Sequence, residues 1–279
     1  MARVASCSGT LAAVIADPSA DPFRRFLILS HAELRISLGA AVAGSDPALS
    51  MADRLCHACV HLLEVDGAAI SVMLEGLSQG TAGSSGELSR QLDELQFTFG
   101  EGPCTDAVRH GEPVMAENLA NAAEQRWPAY AGSALGLGIR AVYALPINLA
   151  NSCVGALDLY RHKPGPLEGD SLVGGLMAAE LAELPLMALM SANADLVAVA
   201  DGEEAWDHLA ALARVEVYQA TGMLMGQLGV GPADALVRLR AHAFAHGLTA
   251  SEAAWLIVGR QLVLEPDEPR NLGPIGGVS

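Results

Sequence analysis

The stretch RVEVYQATGMLMGQLGVGPADALVRLRAHAFAHGLTASEAAWLIVGRQL, residues 214–262, constrains the fold most tightly. Ala213, Val217, Ala220, Leu224 and Leu228 recur at the spacing of one helical face, and Gly229 with Gly231-Pro232 ends that helix and opens the next. Ala235, Leu236, Leu239 and Ala243 line one face of a second helix, which stops at Gly247. Thr249-Ala250-Ser251-Glu252 is a capping box, in which a hydroxyl and a carboxylate satisfy the free amides of a third helix. Helices this short are marginal alone, so the spacing predicts a small three-helix bundle.

The rest of the chain reads differently. With 279 residues, 51% of them hydrophobic and 17% charged, there is enough chain for two globular domains. Helical patterns occupy 26–40 and 47–64, and Ala68–Leu74 reads as a buried strand. Residues 75–86 read as a loop from their Gly and Ser content. An amphipathic helix over 88–95 leads into FTFGEGPC, followed by a short helix over 106–110, a strand over 113–117 and a helix over 128–137. Strands at 140–149 and 153–161 are separated by Asn151-Ser152, which is placed for a tight hairpin turn. A long helix over 167–190 follows, with an intermittent stripe of Leu172, Leu176, Ala179, Leu184 and Leu189 that Pro185 interrupts. The expected division is an N-terminal extension (1–25), a first globular domain (26–190), a connector (191–206), the bundle (207–264) and a tail (265–279).

Two resemblances arise from these residues. R-x-x-V-x-Q-A-x-G-x-L-M, a glycine turn, A-L-x-x-L-R-x-x-A and a final A-A-x-x-I-V resemble the ANTAR domain, an RNA-binding module of bacterial transcription antiterminators. FGEGPC at 99–104, Trp127-Pro128 and RAVYALPI…VGALDLYRHKPGPL at 140–167 resemble the GAF fold, a small-molecule sensor and dimerisation domain. The fold class expected is α+β, an antiparallel sheet flanked by helices, followed by an all-α three-helix bundle. The resemblance implies binding to hairpin loops of nascent mRNA leaders, as a homodimer, in favour of an antiterminator.

RNA binding needs side chains that face solvent. Helical geometry puts Arg238 nearly opposite the Leu236/Leu239/Ala243 face, with Arg240 flanking it, and places Arg214, Tyr218, Thr221 and Met225 in a side stripe on the preceding helix. Trp255 points away from Ala253 and Ile257. Arginines on phosphates and aromatics on unpaired bases are what loop recognition requires, so the expected RNA-binding residues are Arg214, Tyr218, Thr221, Arg238, Arg240 and Trp255. Thr221 departs from the family pattern, in which a basic residue is common. The net charge of −16 lies outside the bundle, because residues 207–264 hold four arginines against four carboxylates. Charge therefore permits RNA binding here without predicting it.

For the sensor domain, Cys104, Trp127, Tyr130, Tyr143 and Asp158 are the candidates to line a ligand pocket, although each residue type is more often packing or surface. Cys104 opens a helix, which would lower its thiol pKa. Cys56-His57-Ala58-Cys59 is a C-x-x-C with His61 nearby. No second pair supplies four ligands, so buried small hydrophobes are expected there and no metal. No phosphate loop, nucleophile elbow or zinc-protease motif occurs, which points away from an enzyme. No resident cofactor is expected, and an unidentified small molecule is the candidate ligand. No apolar run is read as reaching the ~18 residues of a bilayer span, so a cytoplasmic location with no membrane partner is expected. The rival expectation is a ligand-sensing or dimerisation protein whose bundle no longer binds RNA.

Overall fold

Ser30 accepts a hydrogen bond from the Glu33 amide while Glu33 reaches back to the Ser30 amide, and Ser50 with Asp53 repeats the arrangement. These capping boxes start α1 (His31–Val42) and α2 (Met51–Leu62). The structure is a computed structural model that describes residues 30–74, 77–150, 152–189 and 214–265. The expected N-terminal extension, the connector, Ala213, Met190 and nearly all of the tail lie outside the described residues.

The first domain continues through β1 (Gly67–Leu74), β2 (Leu77–Ser84), α3 (Glu87–Phe99), α4 (Pro103–His110), β3 (Val114–Ala116), α5 (Pro128–Gly136), β4 (Ala141–Leu149), β5 (Ser152–Arg161) and α6 (Gly169–Leu181). Its five strands lie in the order β2-β1-β5-β4-β3, every neighbouring pair antiparallel. Side chains alternate across the pleat. Ile70, Tyr143, Leu145, Leu157 and Leu159 pack with α1, α2 and α6, whereas Val142 and Tyr160 pack with Leu92 of α3 and Trp127, Tyr130 and Ala134. The second domain is α7 (Val215–Leu228), α8 (Pro232–Ala245) and α9 (Ala250–Val258). The architecture is α+β, as the patterning predicts.

Three local readings are corrected. Residues 77–84 are a strand, not a loop: β2 is an edge strand that pairs with β1, and its small residues let α2 approach, since a Cβ at Gly83 would run into the Ala52 backbone. Ser152 belongs to β5 and pairs with Leu149, so it is not the turn residue expected, and Ala150 after β4 has φ 53°. Helix α3 runs to Phe99, four residues past the expected end, until Gly100 at φ 67° closes it. The long helix expected over 167–190 is present, with a turn at 182 and helical residues again at 183–189 across Pro185. That helix, Gly169–Leu189, is long and apolar enough to cross a membrane by length and composition alone. Its Gly174-Gly175 face nevertheless lies against Leu34, Leu63, Leu145 and Leu159, as a helix of the domain core would.

Two glycine substitutions test this packing. A methyl at Gly155 would run into the Ser71 carbonyl of the neighbouring strand, whereas nothing lies within 4 Å of one at Gly132 in α5. Gly155→Ala should lower unfolding free energy by about 1–3 kcal/mol, and Gly132→Ala should leave it equal or raise it by about 0.5–1 kcal/mol. Denaturant unfolding of the two variants checks this, and equal effects would contradict the packing described.

Candidate nucleic-acid interface and sensor cluster

The bundle core is Val217, Ala220, Leu224, Ala235, Leu239, Ala250, Ala254 and Ile257, the face that the spacing predicts. Gly229, at φ 66°, ends α7, and Thr249 with Glu252 forms the expected capping box on α9. One further residue belongs to this core, Phe97 of α3. The two domains therefore share a hydrophobic seam.

That seam decides where the expected RNA-binding residues lie. Trp255 is 62% exposed and Tyr218 is 52% exposed, both directed outward as expected. Arg238 is half-buried on α8. Thr221 is half-buried too, and its hydroxyl donates to its own helix, to the Val217 carbonyl at 2.7 Å. Arg214 and Arg240 do not face solvent, which corrects the outward placement. Arg214 sits at the N-cap of α7 with φ 44° and ψ 50°, outside the helix, so it leaves the side stripe. Its guanidinium is buried and donates to Asp93 Oδ2 at 3.1 Å, with Glu94 as a second ion-pair partner. Arg240 turns toward the same helix. The guanidinium carbons of Arg214 and Arg240 lie over the Phe97 ring at 4.2 Å and 4.6 Å. Burial pulls both guanidinium pKa values down, with Asp93 opposing the fall at Arg214 and Arg214 adding to it at Arg240.

Helix α3 supplies further partners. Thr98 Oγ1 accepts from the Ala250 amide at 2.9 Å, and Glu94 Oε1 accepts from the Ser251 amide at 3.2 Å. These are first-turn donors of α9 with no partner inside their own helix. Phe99 meets Phe244 of α8 edge-to-face at 5.6 Å. The sequence reading missed Asp93, Glu94, Phe97 and Thr98 altogether. Their one signal was a pair of acids followed by Phe97 in a helix whose other residues already account for its buried face.

The opposite side of α3 faces the sheet and carries a buried polar cluster. Asp93 accepts from Ser71 at 2.5 Å and from Thr81 at 2.6 Å. Gln96 donates to Asp158 at 2.8 Å and accepts from the Cys104 amide at 2.7 Å. The F-G-E-G-P-C motif builds this corner: a Cβ at Gly102 would run into Gln96, and Glu101 caps α5 by accepting from the Ala129 and Tyr130 amides. Of the five pocket candidates, Cys104, Trp127, Tyr130 and Asp158 lie on this side. Tyr143 does not, because its place in β4 directs it to the α1/α2/α6 face, where its hydroxyl donates to the Gly165 carbonyl. Trp127 donates to Asp106 at 2.8 Å beneath the Arg126 guanidinium.

Cys104 is corrected as well. Burial pushes its thiol well above the usual range, and the neighbouring Asp158 and Asp93 add to the shift, so the position at the start of α4 does not yield a thiolate. Cys56 and Cys59 are fully buried on α2, packed as small hydrophobes. The Asp158 Oδ1 and Tyr130 hydroxyl atoms are buried without a hydrogen-bond partner. Burial, reinforced by Asp93 and partly offset by Gln96 and Cys104, raises the Asp158 pKa to about 7. An unfolded chain ionises this group near pH ~4, so the folded state holds its proton longer. The resulting stability is present at low pH and is lost as pH rises from about 4 to about 7, by about 1.4 kcal/mol per unit at most. Carboxyl NMR of the full chain should show a midpoint near 7 that Asp158→Asn removes; a midpoint below 5 would show that the site is hydrated or paired.

Residues 48–182 match the GAF domain family model, and residues 207–258 match the ANTAR domain family model. Among solved structures, the GAF domain of an Acinetobacter phosphoenolpyruvate-protein phosphotransferase is 13% identical, covers 59% of this chain and 99% of its own, and has a TM-score of 0.45. A free methionine-R-sulfoxide reductase from Neisseria meningitidis is 16% identical over 56% of this chain and 85% of its own, with a TM-score of 0.40. A domain of a two-component sensor histidine kinase protein from Sinorhizobium meliloti is 20% identical over 48% and 85%, with a TM-score of 0.38. At these values the likenesses carry no argument about chemistry. No curated protein matches the chain. The five-stranded sheet and the three-helix bundle fall within these two family matches, and the chain carries a GAF domain followed by an ANTAR domain.

Proposed function

We propose that the chain is a signal-responsive RNA-binding regulator that grips hairpin loops in nascent mRNA leaders and favours antitermination. The observation that carries this reading is the ANTAR match over 207–258, together with two exposed aromatics on that bundle, Tyr218 and Trp255. Stacking of an unpaired base on such a ring contributes about 1–3 kcal/mol. The proposed contact set is Trp255, Tyr218, Thr221 and Arg238, joined by Arg214 and Arg240 when they are exposed.

The GAF domain serves as the sensor, with the cluster around Asp158, Tyr130 and Cys104 as the place for a small molecule, and no resident cofactor. In this reading the chain has no catalytic role and works in the cytoplasm as a homodimer. A dimer face is supported by Leu176, Leu184 and Met187, exposed along the helix over 169–189, and by Ile36 on the adjacent α1. Two weak loop contacts joined in one dimer gain effective concentration, which offsets the thin charge on each bundle.

A second reading has one observation in its favour: Arg214 is buried and Arg240 partly so, as in a bundle that serves only as a docking surface. A salt titration separates the two. Crosslinking the full chain to cellular RNA and sequencing what is retained gives the probes for it. Arg238→Ala with Trp255→Ala should weaken binding of those RNAs by about 10-fold or more, with little change in melting temperature, and wild-type affinity should fall with rising salt. Unchanged affinity in the double variant would contradict the contact set. No RNA retained at any salt would leave the docking reading standing.

A further inference from the structure

We infer that Arg214, Arg240 and the first turn of α9 form a binding site for an unpaired loop nucleotide, and that α3 of the GAF domain occupies this site as an internal substitute. The inference rests on the RNA-binding reading above.

The occupant's chemistry shows what the site accepts. Two guanidiniums converge on one planar ring, that of Phe97. Two carboxylates precede the ring in sequence: Asp93 and Glu94 both pair with Arg214, and Glu94 also accepts from the Ser251 amide at the start of α9. A nucleotide offers the same groups, a flat base for a guanidinium plane and an anion for a guanidinium fork and a helix N-terminus. The fit of α3 is incomplete. The Nε atoms of Arg214 and of Arg240 are both buried with no hydrogen-bond partner. Phe97 presents a ring with no acceptor where a base edge or phosphate oxygen would satisfy them. Arg214 also holds a left-handed backbone at φ 44°, a cost for a residue with a Cβ that its two ion pairs offset.

The electrostatics point the same way. With Arg214 and Arg240 turned onto α3, the described part of the bundle shows Arg238 and Arg260 against Glu216, Asp234 and Glu252. Released, the two arginines bring residues 207–264 from a carboxylate excess to four arginines against four carboxylates. One guanidinium cannot stack on Phe97 and on a base at once, so docking and RNA binding exclude each other. The apparent RNA affinity is then reduced by the fraction of molecules in the docked state.

Opened variants of the full chain test this against a pool of tandem RNA hairpins with randomised loops. Phe97→Ala removes the ring, and Glu94→Gln with Thr98→Val loosens the seam should Phe97→Ala fail to fold. Glu112→Gln, an exposed site away from the seam, controls for the charge change. Both opened variants should bind the pool at least about tenfold more tightly than wild type, the control should change less than about twofold, and adding Arg240→Ala should abolish the gain. Faster hydrogen exchange at the Ala250 and Ser251 amides with unchanged RNA affinity would overturn the proposal while leaving RNA binding intact. If neither wild type nor opened variants retain any RNA, the RNA reading fails and takes this site with it.

Discussion

The Asp93 carboxylate is the interaction on which the arrangement of the two domains depends. It is buried, and it accepts hydrogen bonds from Ser71 of β1, Thr81 of β2 and Arg214 at the entrance to the bundle. A buried charge is tolerated only when paired and hydrogen-bonded, and removing one partner of such a pair typically costs about 3–5 kcal/mol. The carboxylate thus ties a sheet edge, the helix that covers it and a second domain into one electrostatic unit. Phe97, one turn further along α3, adds the apolar half of the seam by entering the bundle core.

Helix α3 consequently has two jobs on two faces. Asp93 and Gln96 look toward the sheet, where Asp158 Oδ1 and the Tyr130 hydroxyl lack partners. Glu94, Phe97 and Thr98 look toward the bundle, where the Nε atoms of Arg214 and Arg240 lack partners. The four orphaned polar atoms found among the described residues therefore fall in two pairs, one on each side of the same helix. Such buried, unsatisfied groups are costly, and they mark places where a second arrangement of α3 has something to gain. In the proposed function, a second arrangement of this helix would link the Asp158 cluster to the RNA-binding face, as a population shift between two states requires.

How much of this was legible in the sequence follows from the range of the interactions. The three helices of the bundle were readable because periodic apolar residues, two glycine stops and the Thr249–Glu252 capping box are local signals. The two long hairpin strands were readable for the same reason. Strand β2 was not, since LSQGTAGS has loop composition and becomes a strand only because β1 offers it a ladder and α2 needs small residues beneath it. Tyr143 was grouped with the other pocket candidates because hydrophobic alternation in a strand buried on both sides does not say which face is which. Arg214 and Arg240 were expected to point outward because helical spacing ranks positions within one bundle only. The partner of Arg214, Asp93, lies 121 residues earlier in the chain, and no local pattern encodes that distance.

The central claim, that α3 and RNA compete for the same arginines, is tested most directly by a distance across the seam. Spin labels at Gln91→Cys on α3 and Ala241→Cys on α8, with Cys7 and Cys153 replaced by Ser, report that distance in the full chain by electron dipolar spectroscopy. The account predicts one short population without RNA and a second, longer one that grows as hairpin RNA is added. A single short population that persists while RNA is fully bound would contradict it.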